Sequence, residues 1–273
     1  MSKPKLTQTW ALVSDFHVGS HTALTTDPKN AIQKGVLERY KDAVAWMSGR
    51  PDVAVLNGDG IDGQDRRGRD IDMTDMFQQA EKAAELLFMQ RAEKEYIVIA
   101  GTAYHEDADA NQFSKAIVSH LRYLVAESKQ TGVTVSWYRK LNTTINGWFR
   151  LEARHKISRS NIPHGKSTAQ ARAKIWNVLN AAQTAARTGK PIQWPHLIVF
   201  GHVHYWNRQE DSFGSVCSLP GWQAIGSRYG DEQCEGHCDL GMCKLVVHPT
   251  EDEGWELTPR LYLPAVVSRV EHR

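Results

Sequence analysis

The chain has 273 residues, 41% hydrophobic and 23% charged, with 33 Lys and Arg against 31 Asp and Glu for a net charge of +2. That is ordinary globular composition with room for a sizeable core, and it excludes a collagen-like, low-complexity or disulfide-framework protein. A global charge argument for nucleic acid or membrane binding is excluded too, so any such argument has to be local.

The first stretch, MSKPKLTQTWALVSDF, does not read as a signal peptide, because the apolar run WALV is short and meets Asp15. No stretch approaches the roughly 18 apolar residues that span a bilayer. The expectation is a cytoplasmic protein with reduced thiols and no membrane partner.

In chain order, WALVSD (10–15) reads as a buried strand and residues 30–49 as a helix ended by glycine. DVAVLNGD (52–59) reads as a second strand, and residues 72–94 as the strongest helix, capped by Asp72 or Thr74. EYIVIAGT (95–102) is a third strand and residues 113–128 a further helix. TVSWYR, NTTINGWFRLEARH and PHLIVFGH then read as strands, with one helix (170–185) among them, and turns and strands dominate from 213 onward. The order βαβαβα followed by a β-rich half predicts one α/β domain over 1–273, with two packed sheets covered by helices and residues 210–273 completing the second sheet.

The polar residues gather where these strands end. The first strand ends in Asp15-Phe16-His17, the second in Asn57-Gly58-Asp59-Gly60-Ile61-Asp62, and the third in Gly101-Thr102-Ala103-Tyr104-His105-Glu106. Later ones end in Arg154-His155 and Gly201-His202-Val203-His204. A single Asp at a strand end is an ordinary turn former. Five strand ends carrying Asp or His call for another reason, since open α/β sheets bind ligands at the carboxyl ends of their strands. Carboxylate and imidazole together suit Mn²⁺, Fe and Zn²⁺. Residues i and i+2 of an extended segment point to the same side, so Asp-x-His and His-x-His can each present a ligand pair to one point. On that reading His202 and His204 reach two different ions of a pair that serves phosphoryl transfer to water.

The ordered set D-x-H, G-D-x-x-D, G-(x)-H-E, H and G-H-x-H, spanning residues 15–204, resembles the calcineurin-like metallophosphoesterase family. The resemblance implies a four-layer αββα sandwich with a dinuclear site at the sheet edge. It implies that Asp15, His17 and His204 hold one ion, that Asp59 bridges, and that His155 and His202 hold the other. Asp62 becomes a supporting carboxylate. The implied cofactors are two divalent ions, Mn²⁺ first, with Fe, Zn²⁺, Ni²⁺ or Mg²⁺ as the other candidates. One motif departs from the pattern: the family's Gly-Asn-His-Asp/Glu is GTAYHE here. Either the second ion lacks the Asn ligand, or Thr102 or Asn111 substitutes, or His105 becomes a ligand. His105 is thus placed near the site as acid or ligand, and Asn57 is a further candidate to hydrogen-bond a ligand.

Two clusters lie outside this set. Residues 154–174 carry Lys156, Arg159, Lys166 and Arg172 with no acidic residue, which is either a solvated loop or a substrate-binding, phosphate-facing segment. Tyr205 and Trp206 either pack or stack a base. Cys217, Cys234, Cys238 and Cys243 are either inert buried thiols or a structural Zn²⁺ site, though their spacing is not that of a common zinc knuckle. The function expected is hydrolysis of a phosphoester, a phosphodiesterase or nuclease with a nucleotide or nucleic acid substrate ahead of a phosphomonoesterase. A binding or scaffold protein with the same fold, or a mononuclear hydrolase, is the alternative. The sequence does not indicate an oligomeric state.

Overall fold

The computed structural model describes residues 6–64, 71–106, 111–158, 165–224 and 238–262. Its elements in chain order are β1 (Gln8–Val13), α1 (Ala31–Trp46), β2 (Val53–Asn57), α2 (Met76–Phe88), β3 (Glu95–Ile99), the single turn α3 (Ala103–Glu106) and α4 (Gln112–Glu127). They continue with β4 (Thr134–Tyr138), β5 (Leu141–Ile145), β6 (Phe149–Ala153), α5 (Thr168–Thr188), β7 (Leu197–Phe200), β8 (Asn207–Asp211), β9 (Gly214–Ser218), β10 (Leu240–Val247) and β11 (Trp255–Tyr262).

Two mixed sheets form, one of six strands in the order β11-β10-β1-β2-β3-β4 and one of five in the order β5-β6-β7-β9-β8. Alternation along the strands explains the layering. In β1, Trp10 and Leu12 enter the apolar layer between the sheets, while Ala11 and Val13 face the layer shared with α1, α2 and α4. A strand apolar on both faces is an interior strand, and β1 pairs parallel with β2 and antiparallel with β10. A third, smaller apolar layer holds Ile198, Phe200 and Val216 of the second sheet against Ala169 and Ala173 of α5. The result is a four-layer αββα sandwich. Among the described residues no helix is long and apolar enough to cross a membrane.

Three expectations need correction. The C-terminal strands β10 and β11 extend the first sheet, and only β8 and β9 complete the second. β10 is two-sided like β1, with Leu240 and Met242 toward the helices and Cys243, Leu245 and Val247 toward the other sheet, so it belongs beside β1. The cap of α2 is Asp75, whose carboxylate accepts the amides of Phe77 and Gln78. Asp72 instead accepts hydrogen bonds from Asn30 and Gln33 and lies 3.0 Å from His21 Nδ1. The run 142–155 is two strands, because Asn146 and Gly147 both take positive φ (52° and 76°) and reverse the chain. Asn-Gly is a hairpin signal in the sequence itself.

The strands β1, β2 and β3 run parallel, as do β6, β7 and β9. Both sets deliver their carboxyl ends to one edge of the sandwich, where the loops carrying Asp and His meet.

Candidate metal centre

The loop after β1 carries Asp15 and His17, that after β2 carries Asp59 and Asp62, and that after β3 carries His105. From the second sheet come His155 after β6 and His202 and His204 after β7. Their donor atoms converge. Asp15 Oδ1 lies 3.2 Å from His204 Nε2 and 3.7 Å from both His17 Nε2 and His155 Nε2. Asp59 Oδ2 lies 2.9 Å from His155 Nε2 and 4.0 Å from His105 Nε2. Three triads have donors close enough to share a cation: Asp15-His17-His204, His17-Asp59-His105 and Asp59-His155-His202. Asp59 and His17 each belong to two of them, and of the pair only the carboxylate has two oxygens to offer to two cations.

The local backbone is unusual. Asp15, His17, Asp59, His202 and His204 all have positive φ, between 45° and 73°. Side chains with a Cβ rarely adopt this conformation, which costs on the order of 1–3 kcal/mol each when strained. The side chains therefore reach the site from left-handed turns, and the extended i, i+2 geometry expected from the sequence does not apply. Glycines let these turns approach each other. A Cβ on Gly58 would stand 2.3 Å from His155 Cγ, and one on Gly101 2.2 Å from Asp59 Oδ1.

Hydrogen bonds orient the rings. His155 Nδ1 lies 2.6 Å from the Asn57 carbonyl oxygen, His105 Nδ1 2.7 Å from the Asp62 carbonyl oxygen, and His17 Nδ1 3.1 Å from Asp62 Oδ1. A carbonyl oxygen only accepts, so Nδ1 carries the hydrogen in His155 and His105, and Nε2 is the atom turned to the site. A ligating histidine typically has its other nitrogen held in this way. The carboxylates are fixed as well. Ser14 Oγ donates to Asp15 Oδ2 at 2.5 Å, the His202 amide donates to the same oxygen at 3.0 Å, and the Thr102 amide donates to Asp59 Oδ1 at 2.6 Å. Asp15 Oδ1 and His155 Nε2 are buried and face only other donors of the set, His204 Nε2 at 3.2 Å and Asp59 Oδ2 at 2.9 Å.

Burial opposes ionisation of Asp15 and Asp59, but the neighbouring histidines, His155 first, outweigh it and hold both carboxyls well below the usual range. Burial likewise opposes a charged His17 or His155. Asp15 and Asp62 nevertheless push His17 up to about 10, and Asp59 and Asp15 push His155 up to about 9. Burial lowers His105 despite Asp59, and burial together with His155 lowers His202 to about 4. Glu106, buried and close to Asp59, is pushed up to about 7 while its Oε2 accepts the Gly101 amide. Protons on His17 and His155 thus sit where cations would sit. Buried imidazole and carboxylate donors that crowd together within ion-pair distance make this set fit to hold divalent cations.

The residues around GTAYHE sort themselves. Thr102 turns its amide and hydroxyl to Asp59, and His105 stands among the donors. Asn111 is the N-cap of α4, and its carbonyl accepts the Ser114 hydroxyl. Asn57 contributes its backbone carbonyl to His155, while its side-chain amide points at the Arg154 carbonyl at 3.4 Å. Ser14, which the sequence reading did not pick out, is fully buried against Asp15. Its only sequence signal is its place before the aspartate.

The other candidates disperse. Lys156 and Arg172 are exposed on the outer side of the second sheet, and Arg159 lies outside the described residues. Lys166 lies over the Tyr205 ring at 4.8 Å, and Tyr205 and Trp206 are used in packing. Cys217 and Cys243 are buried in the layer between the sheets, Cys238 is buried elsewhere, and Cys234 lies outside the described residues. No metal-type cluster containing a cysteine forms among the described residues. Burial pushes the Cys217 thiol up to about 12 and Cys243 well above its usual range, the opposite of what a zinc thiolate requires.

No protein-family model matches the chain. No curated protein matches it either. Among solved structures, it is similar to Vps29 complexed with Zn²⁺ from Entamoeba histolytica at 13% identity and a TM-score of 0.43, covering 93% of this chain and 98% of that one. A novel archaeal phosphodiesterase aligns at 10% identity and a TM-score of 0.43 over 92% of this chain and 99% of its own. Vps29 from Chaetomium thermophilum aligns at 8% identity and a TM-score of 0.44 over 97% and 99% respectively.

Proposed function

We propose that the chain is a metal-dependent phosphoester hydrolase, a phosphodiesterase ahead of a phosphomonoesterase, with Mn²⁺ as the preferred ion. The observation that supports it most is the convergence of three donor triads, two of them containing Asp59, with His17, His105 and His155 held by Nδ1. Two divalent ions held there would supply positive charge against the phosphoryl oxygens and lower the pKa of water. Asp15, His17 and His204 would hold one ion and His155 and His202 the other, and Asp59 would serve both. Asp62 keeps the His17 ring in place. A neutral His105, with its hydrogen on Nδ1, offers Nε2 as a ligand or base and not as an acid. Ser14 is fully buried and Thr102 gives its hydroxyl to Asp59, so neither is presented to a substrate. Water is the nucleophile, its oxygen bonding to phosphorus as the ester oxygen leaves.

Chelator-stripped protein, reloaded separately with Mn²⁺, Mg²⁺, Zn²⁺, Fe²⁺ and Ni²⁺, should be assayed on bis-p-nitrophenyl phosphate, p-nitrophenyl phosphate and single-stranded DNA. Expected are about two ions per chain and Mn²⁺ supporting the diester at least as well as Mg²⁺, because imidazole suits the harder Mg²⁺ poorly. No bound ion and no stimulation by any of them overturns the proposal. A metal-binding protein without turnover is the second reading, favoured by GTAYHE having Tyr104 before His105 where the resemblance expects an asparagine ligand. Two bound ions with no hydrolysis of any substrate would select it.

A further inference from the structure

A cavity of about 390 Å³ lies under α5, outside the metal centre. One face of α5 lines it, with Ala169, Arg172, Ala173, Trp176, Asn177 and Asn180 at helical spacing. Its opposite wall is the segment around the candidate ligand His155. Arg154 and Lys156 line the cavity, while His155 between them turns into the metal centre. The cavity and the centre therefore share one stretch of chain.

The lining has a specific chemistry. Lys140, Arg154, Lys156 and Arg172 bring four cations. The buried Glu152 carboxylate engages Lys140 at 2.8 Å and approaches Arg154 Nε at 3.4 Å. Lys156 and Arg172 are exposed at the rim, and Arg172 reaches the Ser158 hydroxyl at 3.4 Å. Trp176 is 56% exposed, a large aromatic face with a cationic neighbour one helical turn away. One polar atom in the wall, the donor Asn177 Nδ2, is buried and makes no hydrogen bond, while Arg154 Nε faces the Glu152 carboxylate. A buried donor without an acceptor, beside rim cations and an open indole, suits an anionic ligand with a flat ring.

We propose that this cavity binds single-stranded nucleic acid flanking the bond to be cleaved, with a phosphate between Lys156 and Arg172 and a base stacked on Trp176. The proposal rests on the phosphoesterase reading for its purpose, and it names the substrate class of that site. It adds Trp176 and Lys140 to Lys156 and Arg172 of the sequence reading, which α5 and the β4–β5 connection bring together only in three dimensions.

The test is binding of a fluorescent thymidine dodecanucleotide to the full chain in EDTA, followed by anisotropy from 50 to 200 mM salt, so that turnover plays no part. Lys156→Gln with Arg172→Gln should weaken binding at least tenfold and reduce the salt slope by about 0.7, for the one phosphate they hold. Trp176→Ala, at an exposed position, should weaken it by ~5- to 100-fold. Lys129→Gln, on the helical face of the other sheet, is the charge control and should change little. Melting curves verify that each variant is folded. Binding no tighter than about 10⁻⁴ M overturns the proposal, as does equal weakening by Lys129→Gln. Equal affinity for the matching duplex also overturns it, because stacking on Trp176 needs an unstacked base. Abolition by inorganic phosphate at matched ionic strength would assign the cavity to an isolated phosphate, again overturning it. Strand binding with these mutational effects, but no hydrolysis of any phosphoester by the metal-loaded protein, overturns the phosphoesterase reading and leaves the cavity assigned.

Discussion

The two sheets contribute opposite chemistry to one edge of the sandwich. The first sheet supplies all the carboxylates, Asp15, Asp59 and Asp62, together with His17 and His105. The second supplies only imidazoles, His155, His202 and His204, from the ends of β6 and β7. The first sheet is covered by α1, α2 and α4, and the second by α5 resting on Ala169 and Ala173. The first sheet completes one triad by itself, His17-Asp59-His105, and among the described residues the second completes none. Two of the three donor triads, Asp15-His17-His204 and Asp59-His155-His202, cross from one sheet to the other. Packing of the apolar layer between the sheets is therefore what assembles the centre, and the left-handed turns at its edge are held by contacts across that junction.

The largest expected effect breaks this division at its shared point. Asp59→Asn keeps the shape of the side chain and removes its negative charge, while His155 on the other sheet remains. Losing a clamp worth several kcal/mol should cost on the order of 10³-fold in kcat. Bound metal should fall from about two ions toward one, with a melting curve that still reports a folded protein. Turnover and metal content like those of the unaltered protein would mean that Asp59 does not join the two halves.

Much of this was legible in the sequence because ligands at strand ends leave a pattern that survives without knowing the pairing. Asp15, His17, Asp59, His155, His202 and His204 each end an apolar run, and the runs are short enough to be buried strands. Three things were not legible. The place of β10 depends on which neighbour satisfies a strand apolar on both faces, and β1 and the second sheet were equally open to it on periodicity alone. The route by which the side chains reach the centre depends on positive φ at residues whose identity does not call for it. Asp and His adopt that conformation more readily than most residues with a Cβ, and Gly58 and Gly101 leave the room that the closed loops need. The cysteines lie close together in the sequence, but β9 and β10 belong to different sheets. Cys217 and Cys243 meet there as part of an apolar layer.

A smaller effect sharpens the contrast of charge. In the ion-free protein His17 from the first sheet and His155 from the second are held up at about 10 and about 9, against 6.5 for a free histidine. A raised folded pKa means that their stabilising protons are fully in place below about pH 6.5 and are lost as pH rises through 9–10. Divalent ions need both rings neutral, so uptake at pH 7 should release up to two protons. Calorimetric titration with Mn²⁺ in two buffers of different ionisation enthalpy measures that number. The rise in Tm on Mn²⁺ addition should grow from pH 6.5 to 9. At 100 times Kd it should approach roughly 5–10 °C, from about 2.7 kcal/mol of linkage and about 2–4 °C per kcal/mol. Uptake with no proton release would mean that the ions bind elsewhere than at these rings.

The smallest effect concerns the layer that joins the sheets. Cys217 of β9 and Cys243 of β10 are fully buried there, among Leu12, Val55, Leu151 and Val199. Burial, and for Cys243 also the Cys217 sulfur, pushes their thiols up. A zinc site at these sulfurs needs thiolates, which an apolar layer disfavours. They are small packing groups instead. Cys217→Ala removes one sulfur from a well-packed layer, so it should cost about 1 kcal/mol, or roughly 2–4 °C in Tm. Metal content and kcat should stay as they were, because the centre lies beyond the strand ends and not between the strands. Elemental analysis of the variant decides between the two roles. Loss of one equivalent of zinc, with a collapse in Tm well beyond a few degrees, would make Cys217 a structural ligand and place a second metal site at the junction itself.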